Sequence, residues 1–375
     1  MSEIANKKFL GISKVGQGCM GIGGEFERDE TQQLDHVRAL QYGIDLGLNF
    51  LDTAEIYSAG YSEELVGKAI KGKRDSVFVA TKFSPENSSY EGVLKAAEGS
   101  LRRLNTDYID LYQAHWPNPK ISMVETMAGL EKLLTDGKIR HIGLSNFSKR
   151  EMVAAQSHLG ANRIFSNQLE YNLFDRFMEQ EIAPHCLSEN AYVIAYSPLD
   201  KGRTTDGDER RKLLLEMGVK YEKTPSQIAL NWIISQKSFL AIPKSTNLKH
   251  IRENAEAADF SLSTEDRDAI SRVCTAEPIF IPPQAIRVSV SGEGHRSVYQ
   301  TIEEARRNHL NLSPSPTELA EFIRLGEPTK PVRVIPTKEA DGNIEYDLVE
   351  GRLRYWAWVL AFNGEKAVPA YVRYD

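Results

Sequence analysis

Four residues that can move a proton close three apolar stretches: Asp52 and Tyr57 in NFLDTAEIY, Lys82 in VFVATKF and His115 in IDLYQAHWP. In each string the apolar residues come first and an ionisable side chain follows abruptly. A lone lysine ending a buried strand would be costly, because its ammonium loses hydration there. A lysine, a carboxylate, a phenol and an imidazole converging on one point form instead an acid–base device. A phenol has an ordinary pKa of about 10, so it keeps its proton at neutral pH. An ammonium beside it stabilises the phenolate, and a carboxylate holds that ammonium and compensates its burial. The step from Asp52 to Tyr57 leaves room for the aspartate to end a strand and the tyrosine to sit on the loop that follows.

Bringing the four together requires elements that end at one face. Short apolar segments at 14–18, 49–52, 77–82, 110–115, 141–145, 164–168, 192–197 and 239–243 alternate with amphipathic ones. Leu34, Val37, Leu40 and Ile44 fall three or four apart and predict one buried helical stripe. Strands apolar on both faces, each followed by a helix, predict a parallel sheet covered by helices. Eight such units are the number that closes an α/β fold of the (β/α)8 TIM-barrel type, whose working face lies at the strand C-termini.

The alternation stops near Glu277, where AEPIFIPP brings three prolines and reads as a linker or an edge strand. The expected domains are therefore 1–275, a barrel, and 276–375, a small α+β domain. The latter shows NLSPSPTE leading to a helix with Thr317 as N-cap. It continues with a strand PVRVIP, a turn DGN, a strand IEYDLV, a helix RLRYWAWVLAFNG and a last strand AVPAYVRY.

Composition excludes several function classes. The chain has 375 residues, 26% charged and 41% hydrophobic, which is ordinary for a globular protein. A net charge of -6 disfavours a general nucleic-acid or anionic-membrane binder. No stretch reaches the ~20 apolar residues of a membrane helix, and MSEIANKKFLGISK holds no apolar run of a secretion signal. Cys19, Cys186 and Cys274 are few, odd in number and far apart. They fit reduced thiols in a cytoplasmic protein and offer no metal spacing, with Cys19 a small buried filler. Nothing in the sequence fixes an oligomeric state.

Seven strings in order make the first 275 residues resemble the aldo-keto reductases: DTAEIYSAGYSEELVGKAI, VATKF, DLYQAHWP, GKIRHIGLSNFS, NQLEYNLFDR, AYSPLDKG and IPKSTNLKHIRENAEA. The resemblance implies a (β/α)8 barrel that reduces aldehydes and ketones with NADPH, Tyr57 being the general acid and Asp52, Lys82 and His115 completing a tetrad. It implies that Ser145, Asn146 and Gln168 hold the nicotinamide carboxamide and that Tyr196 stacks on the ring. Ser197 and Leu199 would lie near the pyrophosphate. Lys244, Ser245 and Thr246 would cradle a ribose 2′-phosphate, and Glu253 and Asn254 would meet the adenine. The family often has an arginine where this chain has His250, and imidazole lacks the guanidinium fork; NADPH is favoured by Lys244, with NADH left open. Gly18, Cys19 and Met20 lie in GQGCMGIGG, whose glycines are expected to let backbone approach cofactor and substrate. Trp116 is the pocket-lining candidate for a small carbonyl substrate.

The C-terminal strings IPPQAI, ELAEFIRLGEPTKPVRVIP, YDLVEGRLRYWAW and VPAYVR resemble the ParB/sulfiredoxin superfamily. There a G-x-x-R at a helix start binds nucleotide phosphates, which places Gly351 and Arg354 in that role. Arg352 or Leu353 stands where sulfiredoxin has its cysteine, so sulfinate repair is not expected. The segment carries twelve Lys and Arg against fourteen Asp and Glu, which disfavours specific DNA binding. Two other functions remain open at this level. One is a cofactor-sensing regulatory module. The other is a bifunctional enzyme with a nucleotide-binding C-terminal domain that uses Glu303, Glu304 or Glu350.

Overall fold

Eight parallel strands follow one another in sheet order as in sequence. They are β1 Gln17–Gly18, β2 Phe50–Asp52, β3 Phe78–Phe83, β4 Ile109–Ala114, β5 Ile139–Ser145, β6 Ile164–Glu170, β7 Tyr192–Tyr196 and β8 Phe239–Ala241. A computed structural model describes residues 11–200, 202, 209–274, 277–288, 299–312 and 314–372. The chain divides at Thr275 into two compact units, Met1–Thr275 and Ala276–Asp375.

The barrel closes where β1 meets β8. Val15 bridges Ala241 in parallel, and Gly16 N donates to Ala241 O at 2.8 Å. Gly18 N then donates to Pro243 O at 3.0 Å. Gly16 and Gly18, just before and within β1, are required by this closure. A Cβ on Gly16 would lie 2.7 Å from Phe50 O, and one on Gly18 would lie 2.7 Å from Ile242 O. At these two positions the chain fits between its neighbours only without a side chain, a steric demand that stands beside the role expected of Gly18.

Period-two alternation sorts each strand into two faces. One set of residues, including Phe50, Phe78, Ala80, Leu111, Phe165, Ile194 and Leu240, packs inside the barrel as its own cluster. The other, including Leu51, Val79, Tyr112, Ile142 and Val193, packs against the helices. Asp52, Lys82 and Gln113 continue the inward parity of Phe50, Ala80 and Leu111, so the polar residues cap the inner cluster at the strand C-termini.

Local signals set the helices. Tyr90–Leu104 starts at Ser89, whose side chain accepts from Gly92 N, and ends at Asn105 in the left-handed conformation. Its buried Val93, Ala97, Ser100 and Leu104 recur every three or four residues. Lys149–Ser157 and Pro225–Ile234 open with capping boxes, Ser148 with Glu151 and Thr224 with Gln227. In the helix Gln33–Asp45 Val37, Leu40 and Ile44 pack on the core as expected, and only Leu34 departs. Leu34 is 66% exposed in the first turn, whereas His36 is buried and accepts a hydrogen bond from Gly23 N at 3.1 Å.

The second unit is a five-stranded mixed sheet, β9 Ile279–Ile281, β10 Ile286–Val288, β11 Val332–Asp341, β12 Ile344–Glu350 and β13 Val368–Val372, in the order β10-β12-β11-β13-β9. AEPIFIPP thus supplies an edge strand. The core gathers Val334, Leu348, Tyr355, Trp356 and Leu360, with Trp356 Nε1 donating to Tyr299 O at 2.8 Å. The helix Pro316–Arg324 is capped by Ser315, not Thr317, because the Ser315 hydroxyl accepts from Glu318 N while Ser315 N donates to the Glu318 carboxylate. A proline at the first helical position fixes the start one residue after that serine.

Candidate active site

Lys82 is wholly buried near the end of β3, and its amine has three oxygen partners. It donates to Asp52 Oδ1 at 2.6 Å, to Thr53 O at 2.8 Å and to Tyr57 Oη at 3.4 Å. The other carboxylate oxygen of Asp52 accepts from Gln168 Nε2 at 2.7 Å and Gln113 Nε2 at 3.3 Å. Burial alone would push the Lys82 ammonium towards losing its proton, but Asp52 and Tyr57 outweigh it and the pKa is raised. Burial raises the Tyr57 phenol as well, with Lys82 pulling against it. The ammonium and the phenol therefore both hold their protons at neutral pH.

His115 follows β4 directly and is 4% exposed. Burial, with Lys82 adding to it, pulls its pKa down to about 2, so the ring is neutral. Its Nδ1 has no hydrogen-bond partner. The ring lies face to face with Trp116, centroids 3.7 Å apart, and edge-on to Tyr57 at 5.8 Å. Trp116 remains 40% exposed and so presents an open aromatic face beside the histidine.

Next to the tetrad stand the groups suited to an amide. Gln168 gives an N–H to Asp52, which leaves its carbonyl oxygen to accept. Ser145 Oγ accepts from Asn146 Nδ2 at 3.0 Å, which leaves its O–H to donate. A carboxamide needs one acceptor and one donor of this kind. Asn146 is itself engaged, donating to His115 O at 3.1 Å and accepting from Tyr196 Oη at 3.0 Å. Tyr196 ends β7, and Ser197 follows with positive φ while its carbonyl accepts from Asn172 Nδ2. Leu199 is half-buried against the sheet–helix core.

At the far end Lys244 is exposed and its side chain passes near Gly21, where a Cβ would lie 3.7 Å from Lys244 Cε. Ser245 accepts from Asn247 N at 3.1 Å, and Thr246 is half-buried beside it. Asn247 caps the helix Leu248–Glu256, taking N–H bonds from Lys249 and His250. His250 is exposed in that first turn, Glu253 lies 3.7 Å from Lys249 Nζ, and Asn254 is buried. The cap at Asn247 was readable from an asparagine before a periodic run. Cys19 is engaged within the protein. Its burial is complete, its thiol lies on Gln17 O, its N–H donates to Asp52 O and its C=O accepts from Ser62 Oγ. Met20, 44% exposed, is the side chain of that segment that reaches solvent.

Gln113 and Thr53 also belong to the site, bonding Asp52 and Lys82 respectively, although neither was among the residues expected there from the sequence. Gln113 alone had a local signal, its period-two place between Leu111 and His115. Among the described residues no group of three or more His, Cys, Asp or Glu is placed to hold a metal, and no helix is long and apolar enough to cross a membrane.

In the second unit Gly351 has positive φ and precedes the helix Arg352–Ala361, which has no side-chain cap. Arg354 Nη1 donates to Lys330 O at 3.0 Å and Pro331 O at 3.3 Å, and Nη2 lies 3.7 Å from Glu350 Oε1.

Residues 14–274 match the aldo/keto reductase family. The methylglyoxal reductase YeaE of Escherichia coli is 37% identical over 258 residues, 68% of this chain and 89% of that protein. The glyoxal reductase of Bacillus subtilis is 36% identical over 235 residues, 62% of this chain and 81% of that protein. An aldo/keto reductase from Klebsiella pneumoniae, solved in complex with NADP and acetate, superposes with a TM-score of 0.65 at 36% identity over 70% of this chain and 91% of that one. With the barrel, the buried lysine–aspartate–tyrosine cluster and these likenesses together, the chain belongs to the aldo/keto reductase family.

Proposed function

We propose that this chain reduces the carbonyl of a small aldehyde or ketone at the expense of NADPH, with Tyr57 as proton donor. The observation that carries the reading is Lys82 Nζ, placed between Asp52 Oδ1 at 2.6 Å and Tyr57 Oη at 3.4 Å. Ser145 and Gln168 would hold the nicotinamide carboxamide, Tyr196 would face the ring, and Lys244 with Ser245, Thr246 and His250 would meet the ribose phosphate. When bound, the reduced nicotinamide supplies the hydride. Tyr57 gives its proton to the carbonyl oxygen as negative charge builds there, and the phenolate left behind is stabilised by the ammonium of Lys82. Asp52 keeps that ammonium charged and fixed. His115, neutral, orients the carbonyl, and Trp116 forms one wall of the pocket.

The names of two relatives make methylglyoxal and glyoxal the first substrates to test. Consumption of NADPH with each should be rapid for the native chain. It should fall about 10²–10⁴-fold for Tyr57→Phe, the size of a general-acid contribution, while NADPH binding followed by fluorescence quenching stays unchanged. A Tyr57→Phe variant retaining more than roughly a tenth of native turnover would remove Tyr57 from this role.

For residues 276–375 the proposal is a ParB/sulfiredoxin-type domain that takes a nucleotide phosphate at Gly351–Arg354. The helix start that follows Gly351 supports it, since the N-terminal N–H groups of a helix favour an anion. Arg354 would have to release the carbonyls of Lys330 and Pro331 to take part. Calorimetry with CTP, ATP and ADP tests the idea, and Arg354→Ala should abolish any binding seen.

A further inference from the structure

Tyr57 opens a turn that the backbone does not favour. Ser58 and Ala59 have φ of 52° and 53°, and Gly60 follows at 88°. Three successive left-handed residues persist only where their surroundings impose them. On one side Ser58 does so, its Oγ lying 2.5 Å from Gly24 O and 3.1 Å from Ile22 O with one proton to give to either carbonyl.

On the other side stands Arg103, from the helix Tyr90–Leu104. A Cβ at Gly60 would lie 2.7 Å from Arg103 Cδ and 2.8 Å from its Nε, so the arginine stem passes directly over the glycine. The guanidinium Nε donates to Glu63 Oε2 at 2.6 Å, and Glu63 is wholly buried. The other oxygen of Glu63 accepts from Thr81 Oγ1 at 2.6 Å. Thr81 immediately precedes Lys82. One buried carboxylate therefore links the arginine over the Tyr57 turn to the strand residue adjoining Lys82.

We propose that Arg103, held by Glu63, is a positioning residue that fixes the Tyr57 turn at the distance from Lys82 needed for proton transfer. The inference rests on the reading of Tyr57 as general acid. Burying an ion pair adds little net stability, since desolvation offsets most of the attraction; what this pair supplies is a fixed geometry. Burial pushes the Glu63 carboxyl up and Arg103 pulls it back, so the pair acts as a unit. The coupling of phenol to ammonium weakens as their separation grows, and a turn free to relax would move Tyr57 Oη from its 3.4 Å contact.

A double-mutant cycle on the full chain tests this. Arg103→Ala should lower kcat about tenfold or more with KM for NADPH unchanged, because the loss falls on the chemical step. In a Tyr57→Phe background the same substitution should change kcat less than about twofold, because its effect acts through Tyr57. Equal losses in both backgrounds, or native kcat in Arg103→Ala, would overturn the inference. Tyr57→Phe alone tests the underlying reading separately. Where Arg103→Ala does not fold, Glu63→Gln carries the same cycle with the same expected and overturning results.

Discussion

Asp52 holds Lys82 at 2.6 Å with neither side chain more than 2% exposed, and spends its second oxygen on Gln168 at 2.7 Å. The lysine is thus charged in a place where burial opposes charge, and Asp52, with Tyr57 beside it, keeps it so.

Asp52→Asn leaves the ammonium buried without its counter-charge. Breaking one side of such a pair costs about 3–5 kcal/mol, so the urea midpoint at pH 8 should drop accordingly. The raised pKa of Lys82 sets the sign with pH. Its contribution is complete below the ordinary lysine value of about 10.4 and is lost as pH climbs through the higher folded value. The gap between native and variant should therefore narrow as pH rises on the alkaline side. A gap that is absent at pH 8 would remove the pair from the stability of the site.

His115 predicts an acid effect of the opposite sense. Its folded pKa of about 2 lies below the ordinary histidine value of about 6.5. Above 6.5 it is neutral in both states and contributes nothing. As pH falls below 6.5 the unfolded chain takes up the proton and the fold does not, so stability declines by up to about 1.4 kcal/mol per pH unit. His115→Gln should make urea unfolding less pH-dependent between pH 6.5 and 4.5. Identical slopes would show that the histidine is not buried neutral.

Trp116→Ala removes the ring stacked on His115 at 3.7 Å. Losing an aromatic contact worth ~1 kcal/mol should raise KM for a dicarbonyl substrate roughly fivefold and leave NADPH affinity unchanged. Steady-state kinetics and fluorescence titration separate the two, and a change in cofactor affinity alone would move Trp116 out of the substrate pocket.

His250→Arg should strengthen NADPH relative to NADH, because a charge-assisted bond to phosphate contributes about 1.5–3 kcal/mol. The ratio of the two dissociation constants checks it. An unchanged ratio places His250 away from the 2′-phosphate.

The sequence determined the barrel and the strand-end places of Asp52, Lys82 and His115, because both are written in local patterns. Eight apolar segments separated by amphipathic ones encode strands and helices, and an ionisable residue closing an apolar run marks a strand end. Asp52, Lys82 and His115 were legible in that way, as was the edge strand in AEPIFIPP. Where two local readings competed, the sequence was ambiguous. Ser315 and Thr317 are both good caps, and the capping box with Glu318 chose between them. Leu34 fits the helical period, yet it falls in the first turn and stays exposed.

Tertiary structure alone decided which side chains meet. Gln168 reaches Asp52 across 116 residues of sequence, and Arg103 reaches Glu63 across 40. Neither pairing leaves a local trace, because each depends on the stagger of strands and helices around the barrel. The same holds for Gly16 and Gly18, where closure of the sheet leaves no room for a Cβ. A pattern of residue types can say where a side chain will be buried; only closure of the sheet fixes what it is buried against.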